Sequence, residues 1–199
     1  MNILFTRFPL ESHYGGAEVQ TLTLMKGLRE KGHEILFLSS CPVLLERTKE
    51  LGIKNQELRI GKPPVTKWGA VSFLWRKRRM RRRLVEAMCH GEVRVACSSL
   101  EAHPSTSSGF APRDDTQRAS NHDTIIFMLS LSEKLLLTEW AVKQGFKVFW
   151  IEHDRIGRWL TMNPWLPQLR KLSTLATTIV VSDLSRDLYR KLGWNPQKV

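Results

Sequence analysis

No run in the chain approaches the roughly 18 apolar residues of a membrane-crossing helix, and no basic stretch followed by an apolar core opens it. Neither a spanning segment nor a signal peptide is therefore evident. Cysteine is scarce: Cys41, Cys89 and Cys97 are odd in number and form no Cys-x-x-Cys pair, which favours free thiols in a reducing, cytoplasmic setting over a disulfide framework. Three glycine signatures are also missing. Without Gly-x-Gly-x-x-Gly tightly after the first strand, Gly-x-x-x-x-Gly-Lys-Ser/Thr or Gly-x-Ser-x-Gly, the dinucleotide fold, the phosphate loop and the serine esterase elbow lose their sequence support. Acidic side chains are few. With 19 Asp and Glu against 31 Lys and Arg, the net charge is +12 and the pI about 10.1, so the nearby partner or surface is anionic.

That charge is concentrated. The stretch from Arg76 to Arg83 holds seven of the cations, Arg76, Lys77, Arg78, Arg79, Arg81, Arg82 and Arg83, and removing them leaves +5. They lie in a helix expected over 66–88, where Val71, Leu74, Leu84, Val85 and Met88 supply apolar contacts and the cations fall all round the wheel. Such a portion is expected to project or lie on a surface with its stems snorkelling, not to pack into a core. Phe73 and Trp75 beside it suit an interfacial contact with anionic lipid. Nucleic-acid phosphate is a less favoured partner, and a merely solvated basic helix is the alternative without one.

At 199 residues and 42% hydrophobic, the chain is long enough for one substantial domain and too short for two of ordinary size. Strands are expected at Ile3-Leu4-Phe5, at 35–38, more weakly and nearer an edge at 54–60, then at 124–129, 146–151 and 177–181. Helices lie between them. The first carries Val19, Leu22, Met25 and Leu28 at helical spacing, a short one covers 42–51, and Pro63-Pro64 breaks the chain before the basic helix. Ser132 is read as the cap of a helix with Glu133, Lys134, Glu139 and Lys143 on its exposed side. Asn163-Pro164 opens a helix using Trp165, Leu169, Leu172 and Leu175, and Ser182 one using Leu184, Leu188 and Leu192. Gly32, Gly52, Gly145 and Gly193 read as helix stops, and His33 as a turn residue. Strands alternating with helices, with no internal repeat, define an α/β class: a doubly wound, mainly parallel sheet with helices on both faces.

One segment departs from this alternation. Residues 91–121 carry no sustained apolar period and read as a disordered or inserted loop within the domain. Cys89, His90, Cys97 and His103 match no zinc-ligand spacing, and no metal site is expected.

The working end is expected where strand one runs through Phe8 to Glu18 into helix one. Gly15-Gly16 there either bring backbone N–H groups to a phosphate or sugar hydroxyl at the positive end of the helix, or merely make a turn. Glu152-His153-Asp154 arrive at the C-terminal end of a late strand, the sheet edge where ligands bind in open α/β folds. Taken alone, His153 reads as structural. Glu18 either serves the helix dipole or faces an acceptor.

Gly15-Gly16-Ala17-Glu18 at the head of helix one, Lys31-Gly32-His33-Glu34 before strand two, His153-Asp154, and Ile179-Val180-Val181-Ser182 before a short helix together resemble the N-terminal domain of a family 4 glycosyltransferase of the two-domain GT-B type. The pattern spans 1–90 and 124–199. The resemblance implies a Rossmann-like N-terminal half and retaining transfer of a sugar from a nucleotide-sugar donor, with no cofactor or metal required. It places Gly15 and Gly16 near the donor diphosphate and His153, as the catalytic residue, toward the transferred sugar. Glu18 and Asp154 complete the substrate-binding set, with Asp154 holding the loop or orienting its neighbour. The acceptor implied is a lipid-linked or cell-surface glycan, met at the inner face of a membrane by Trp75 and the seven cations. The family's second, donor-binding domain would follow Val199. The expectation is thus of one acceptor-side domain over 1–199, a fragment or one half of a pair, inactive until that second domain is supplied. A non-enzymatic basic binding protein and a non-functional remnant are the alternatives.

Overall fold

A computed structural model of the chain describes residues 1–8, 15–58, 60, 67–90, 124–153 and 161–199. The loop 9–14, Pro63-Pro64, the segment 91–121 with Cys97 and His103, and Asp154 lie outside the described residues, as do the side chains of Leu74, Arg76, Met88, Cys89 and His90.

The elements run β1 (Asn2–Arg7), α1 (Gly16–Glu30), β2 (Glu34–Ser39), α2 (Pro42–Glu50), β3 (Lys54–Glu57), α3 (Lys67–His90), β4 (Thr124–Met128), α4 (Leu131–Lys143), β5 (Lys147–Glu152), α5 (Leu166–Ser173), β6 (Thr177–Val180) and α6 (Asp183–Lys191), with a last 3₁₀ turn at Pro196–Lys198. All five pairings are parallel and the order is β3-β2-β1-β4-β5-β6. This is the expected open, doubly wound sheet, a Rossmann-like arrangement consistent with half of a GT-B fold. The weak third strand does sit at an edge.

Strand side chains alternate between two faces, and both are buried. Ile3, Phe5, Ile35, Phe37 and Phe127 join Leu22 and Met25 of α1 and Leu44 of α2 in one core. Leu4, Leu36, Ile126, Met128, Val148 and Trp150 point the other way, against Phe73, Leu84 and Val85 of α3, Leu136 and Trp140 of α4, Leu169 of α5 and Tyr189 of α6. Two-sided burial is why the strands read as continuous apolar runs. The predicted stops hold, and at Gly52 the reason is steric: φ is 63°, and a Cβ would lie 2.9 Å from the Arg29 guanidinium, which donates to the Leu51 carbonyl.

Several local readings are corrected. The cap of α4 is Ser130, not Ser132, because Glu133 reaches back to accept from the backbone N–H groups of Ser130 (2.6 Å) and Leu129 (3.1 Å). Glu133 and Lys134 are consequently buried, whereas Glu139 and Lys143 form the expected exposed pair. Asn163 precedes its helix as a turn acceptor, its Oδ1 taking the Trp165 N–H at 2.9 Å, and α5 begins at Leu166. Val19, Val71, Leu175 and Leu184 are exposed, since each helix needs only one stripe inward; in α6 that stripe runs through Ser185 and Tyr189.

The basic helix buries Leu84 and Val85 as expected, but Phe73, expected at an interface, is buried with them. It packs into the second core through Phe73, Leu84 and Val85, with Lys77 and Arg81 half-buried. Arg78, Arg79, Arg82 and Arg83 are exposed and share an outward arc with Val71 and Trp75, the last 84% exposed. Cations all round a wheel are compatible with packing here because the long, half-buried stems flank the apolar stripe. Burial lowers the Lys77 pKa, Glu139 of α4 opposing that shift and Arg81 adding to it.

Candidate functional site

Sheet order reverses between β1 and β4, so the chain leaves β1 toward α1 on one face and β4 toward α4 on the other. The crevice between them is where such folds take ligands. Two helix N-termini open there. Gly15 caps α1 in an ordinary extended conformation (φ −152°, ψ −171°), its carbonyl accepting from Val19 N–H at 3.1 Å, with no side-chain cap. Among the described residues, a Cβ at Gly16 would meet nothing within 4 Å. Neither backbone strain at Gly15 nor crowding at Gly16 calls for glycine; what the smaller residue leaves at 16 is an open approach to the first helical N–H groups.

Below that approach, Arg7 at the end of β1 pairs with Glu18 in the first turn of α1. Glu18 is buried, and the Arg7 Nε is buried with no partner among the described residues. The pair fastens strand to helix, and Glu18 is thereby committed to Arg7. Sequence reasoning missed Arg7; a cation closing an apolar strand beside a glycine-headed helix was the signal.

His153 follows β5 and reaches across to α1. Its Nδ1 lies 3.0 Å from Gln20 Oε1 and its Nε2 3.4 Å from Thr21 Oγ1. Gly15, Gly16, Glu18 and His153 are thus gathered around the first turns of one helix. Next to His153, Glu152 is held by Lys134 of α4 at 2.7 Å, and the same ammonium group reaches the Ile151 carbonyl (3.4 Å) and lies over the Trp150 ring (5.8 Å). A buried ion pair of this kind costs desolvation and returns fixed geometry. It sets the end of β5, from which His153 follows.

The arginine face of α3 is not part of this cluster; α3 packs on the sheet face opposite α1. An open depression of about 450 Å³ lies elsewhere again, between β6 and α6, lined by Thr178, Ser182, Arg186 and Val199 among others and not by Gly16 or His153. Among the described residues no group of three His, Cys, Asp or Glu side chains is placed to hold a metal ion, and no helix is long and apolar enough to cross a membrane.

No protein-family model and no curated protein matches the chain. Solved structures do. Anabaena HepE in complex with UDP-glucose superposes on all of this chain with a TM-score of 0.60 at 12% identity, and its UDP complex equally at 13%. A glycosyltransferase from Rickettsia africae matches 99% of the chain at a TM-score of 0.54 and 13% identity. A Listeria monocytogenes structure described as a UDP-N-acetylglucosamine 2-epimerase matches 99% at 0.53 and 10%. At such identities the likeness establishes the fold. The chain spans 41–43% of the length of these structures.

Glu133, buried at the head of α4, gives the fold a pH-dependent stability. Burial pushes its pKa up to about 8, opposed by the N–H groups of Ser130 and Leu129 and by the Lys134 charge. The folded state therefore holds a proton that the unfolded chain releases near its ordinary value of 4.5. Stability is full below that value and falls as pH rises toward 8. Urea unfolding at pH 5 and pH 8 is expected to show this decline in the wild type and a smaller one in Glu133→Gln, which keeps the acceptor for the α4 cap and cannot ionise.

Proposed function

We propose that the chain is the N-terminal, acceptor-side domain of a retaining, family 4-type glycosyltransferase of GT-B architecture. Residues 1–199 form one domain with 91–121 as an insertion, and a second domain supplies most of the donor site. The observation that carries this reading is the convergence of the open Gly15-Gly16 helix terminus and His153 at the switch point of a sheet shared with a UDP-glucose-binding structure. N–H groups at the head of α1 stabilise charge on a leaving diphosphate. His153 meets the transferred sugar, Asp154 orients its neighbour, and Glu18, through its pair with Arg7, holds the helix head in place. The acceptor is a lipid-linked or cell-surface glycan precursor, and the enzyme works from the cytoplasmic side. On this reading residues 1–199 form one wall of the cleft, and turnover needs the second domain against it.

Inorganic pyrophosphate tests the diphosphate assignment. It is expected to raise the melting temperature of the wild type by mass action. In Gly16→Val, whose side chain enters the open approach, the rise should be lost; an equal rise in both proteins would move the anion away from α1.

The outward arc of α3 supports membrane contact: exposed Trp75 and Val71 sit among Arg78, Arg79, Arg82 and Arg83, of which Arg82 also pairs with Glu86 at 2.8 Å. Each basic residue near anionic lipid contributes about 1 kcal/mol. Changing these four arginines to glutamate should weaken binding to phosphatidylserine vesicles by at least ~100-fold. Unchanged vesicle binding removes the membrane assignment, and salt-dependent DNA binding stronger than vesicle binding would replace it with a nucleic-acid one.

A further inference from the structure

Packing fixes the direction of α3 as well as its inward face. Near its start the Phe73 ring meets Trp165 edge-on at 5.2 Å, just ahead of α5, and one turn further Lys77 interacts with Glu139 in the second half of α4. Both neighbours run the same way. α4 starts three residues after β4 and stops shortly before β5, and α5 stops shortly before β6, so their heads mark the crevice edge of the sheet and their ends the opposite edge. With Phe73 beside the head of α5 and Lys77 further down α4, the head of α3 also points to the crevice edge.

The outward arc of α3 is not uniform along that direction. At 100° per residue Val71, Trp75, Arg78, Arg79, Arg82 and Arg83 fall within about 140° of the wheel. The two apolar members come first: Val71 is 50% exposed and Trp75 84%, and all four exposed arginines follow them. At the helical rise per residue the centres of the two groups are about 11 Å apart. Exposed Glu86 lies beyond the arginines on the same arc, paired with Arg82 at 2.8 Å. A bilayer interface has the same order in depth, with apolar and aromatic groups at the acyl boundary and arginines snorkelling to the phosphates.

We propose that α3 docks head first on an anionic phospholipid bilayer. Val71 and Trp75 enter the interface, the four arginines stay at the phosphates behind them, and the crevice edge of the sheet is held nearer the lipid than the opposite edge. Charge alone would not do this, because a helix held only by its arginines lies level along them or tips toward their end. Insertion of the apolar head inclines the domain the other way, so that an acceptor whose tail stays in the bilayer meets the crevice at the height of the headgroups. The orientation rests on the membrane reading above; the sugar chemistry at the head of α1 does not enter it.

The experiment uses the ¹⁵N-labelled 199-residue chain on nanodiscs of phosphatidylcholine and phosphatidylserine that carry a nitroxide on some lipid headgroups. The nitroxide broadens amide signals according to their distance from the bilayer, and α4 serves as the ruler because its two ends lie at the two edges of the sheet. Signals at Leu131 and Ser132 should be broadened more than those at Gln144 and Gly145. Trp75→Gln, at an exposed position, should leave the fold intact, weaken binding by roughly 10-fold and abolish the difference between the ends of α4. Equal broadening at both ends in the wild type, stronger broadening at Gly145, or an unchanged pattern in Trp75→Gln would overturn the proposal while leaving membrane contact in place. Failure of the wild type to bind anionic nanodiscs at all would remove the membrane reading, and the orientation with it.

Discussion

The pairing of β1 with β4 is the contact on which the rest of the molecule depends. It joins the two halves of the sheet across a long sequence separation, with Asn2 to Thr6 in register with Thr124 to Met128. Phe5 and Phe127 stack across it at 4.6 Å, and Phe149 extends the stack from β5 at 5.3 Å. Polar bonds close its C-terminal end: Leu129 N–H donates to the Thr6 carbonyl (3.2 Å) and Phe8 N–H to Ser130 Oγ (3.0 Å). Because the chain leaves these two strands in opposite directions, the same pairing that buries the core also opens the crevice. Fold and site are one construction here.

Much of this was legible because parallel strands buried on both faces leave an unambiguous mark. The apolar runs at 3–5, 35–38, 124–129 and 146–151, with glycines after the helices between, are sufficient for the α/β class and the edge position of β3. What the residues could not reveal was pairing in space. Glu133 and Lys134 look like a solvated helix face until Ser130 and Leu129 N–H groups and the Glu152 carboxylate are placed beside them. Likewise the cationic run hid that Phe73 joins Leu84 and Val85 in anchoring α3 while four arginines and Trp75 share its outer arc. Helical periodicity says which residues share a face and not which face is inside. The site was half legible: Gly15, Gly16 and His153 stand out by spacing and strand position, whereas Arg7, Gln20 and Thr21 gain meaning only once β5 is set against α1.

The chemistry follows from what this wall can and cannot supply. It offers helix N–H groups, an imidazole fixed from two sides and an arginine buried behind a carboxylate, which together stabilise and orient anionic or hydroxylated groups. Among the described residues, the depression at β6 and α6 is open and lies away from this cluster. On the proposed reading, this wall recognises one part of a ligand weakly and works against an opposing surface. The most direct measurement is a titration of UDP-glucose into the ¹⁵N-labelled chain followed by backbone and histidine ring signals. The account predicts saturable millimolar shifts centred on Gly15, Gly16, Ala17, Gln20 and His153; shifts confined to the arginine face of α3, or none at the head of α1, would contradict it.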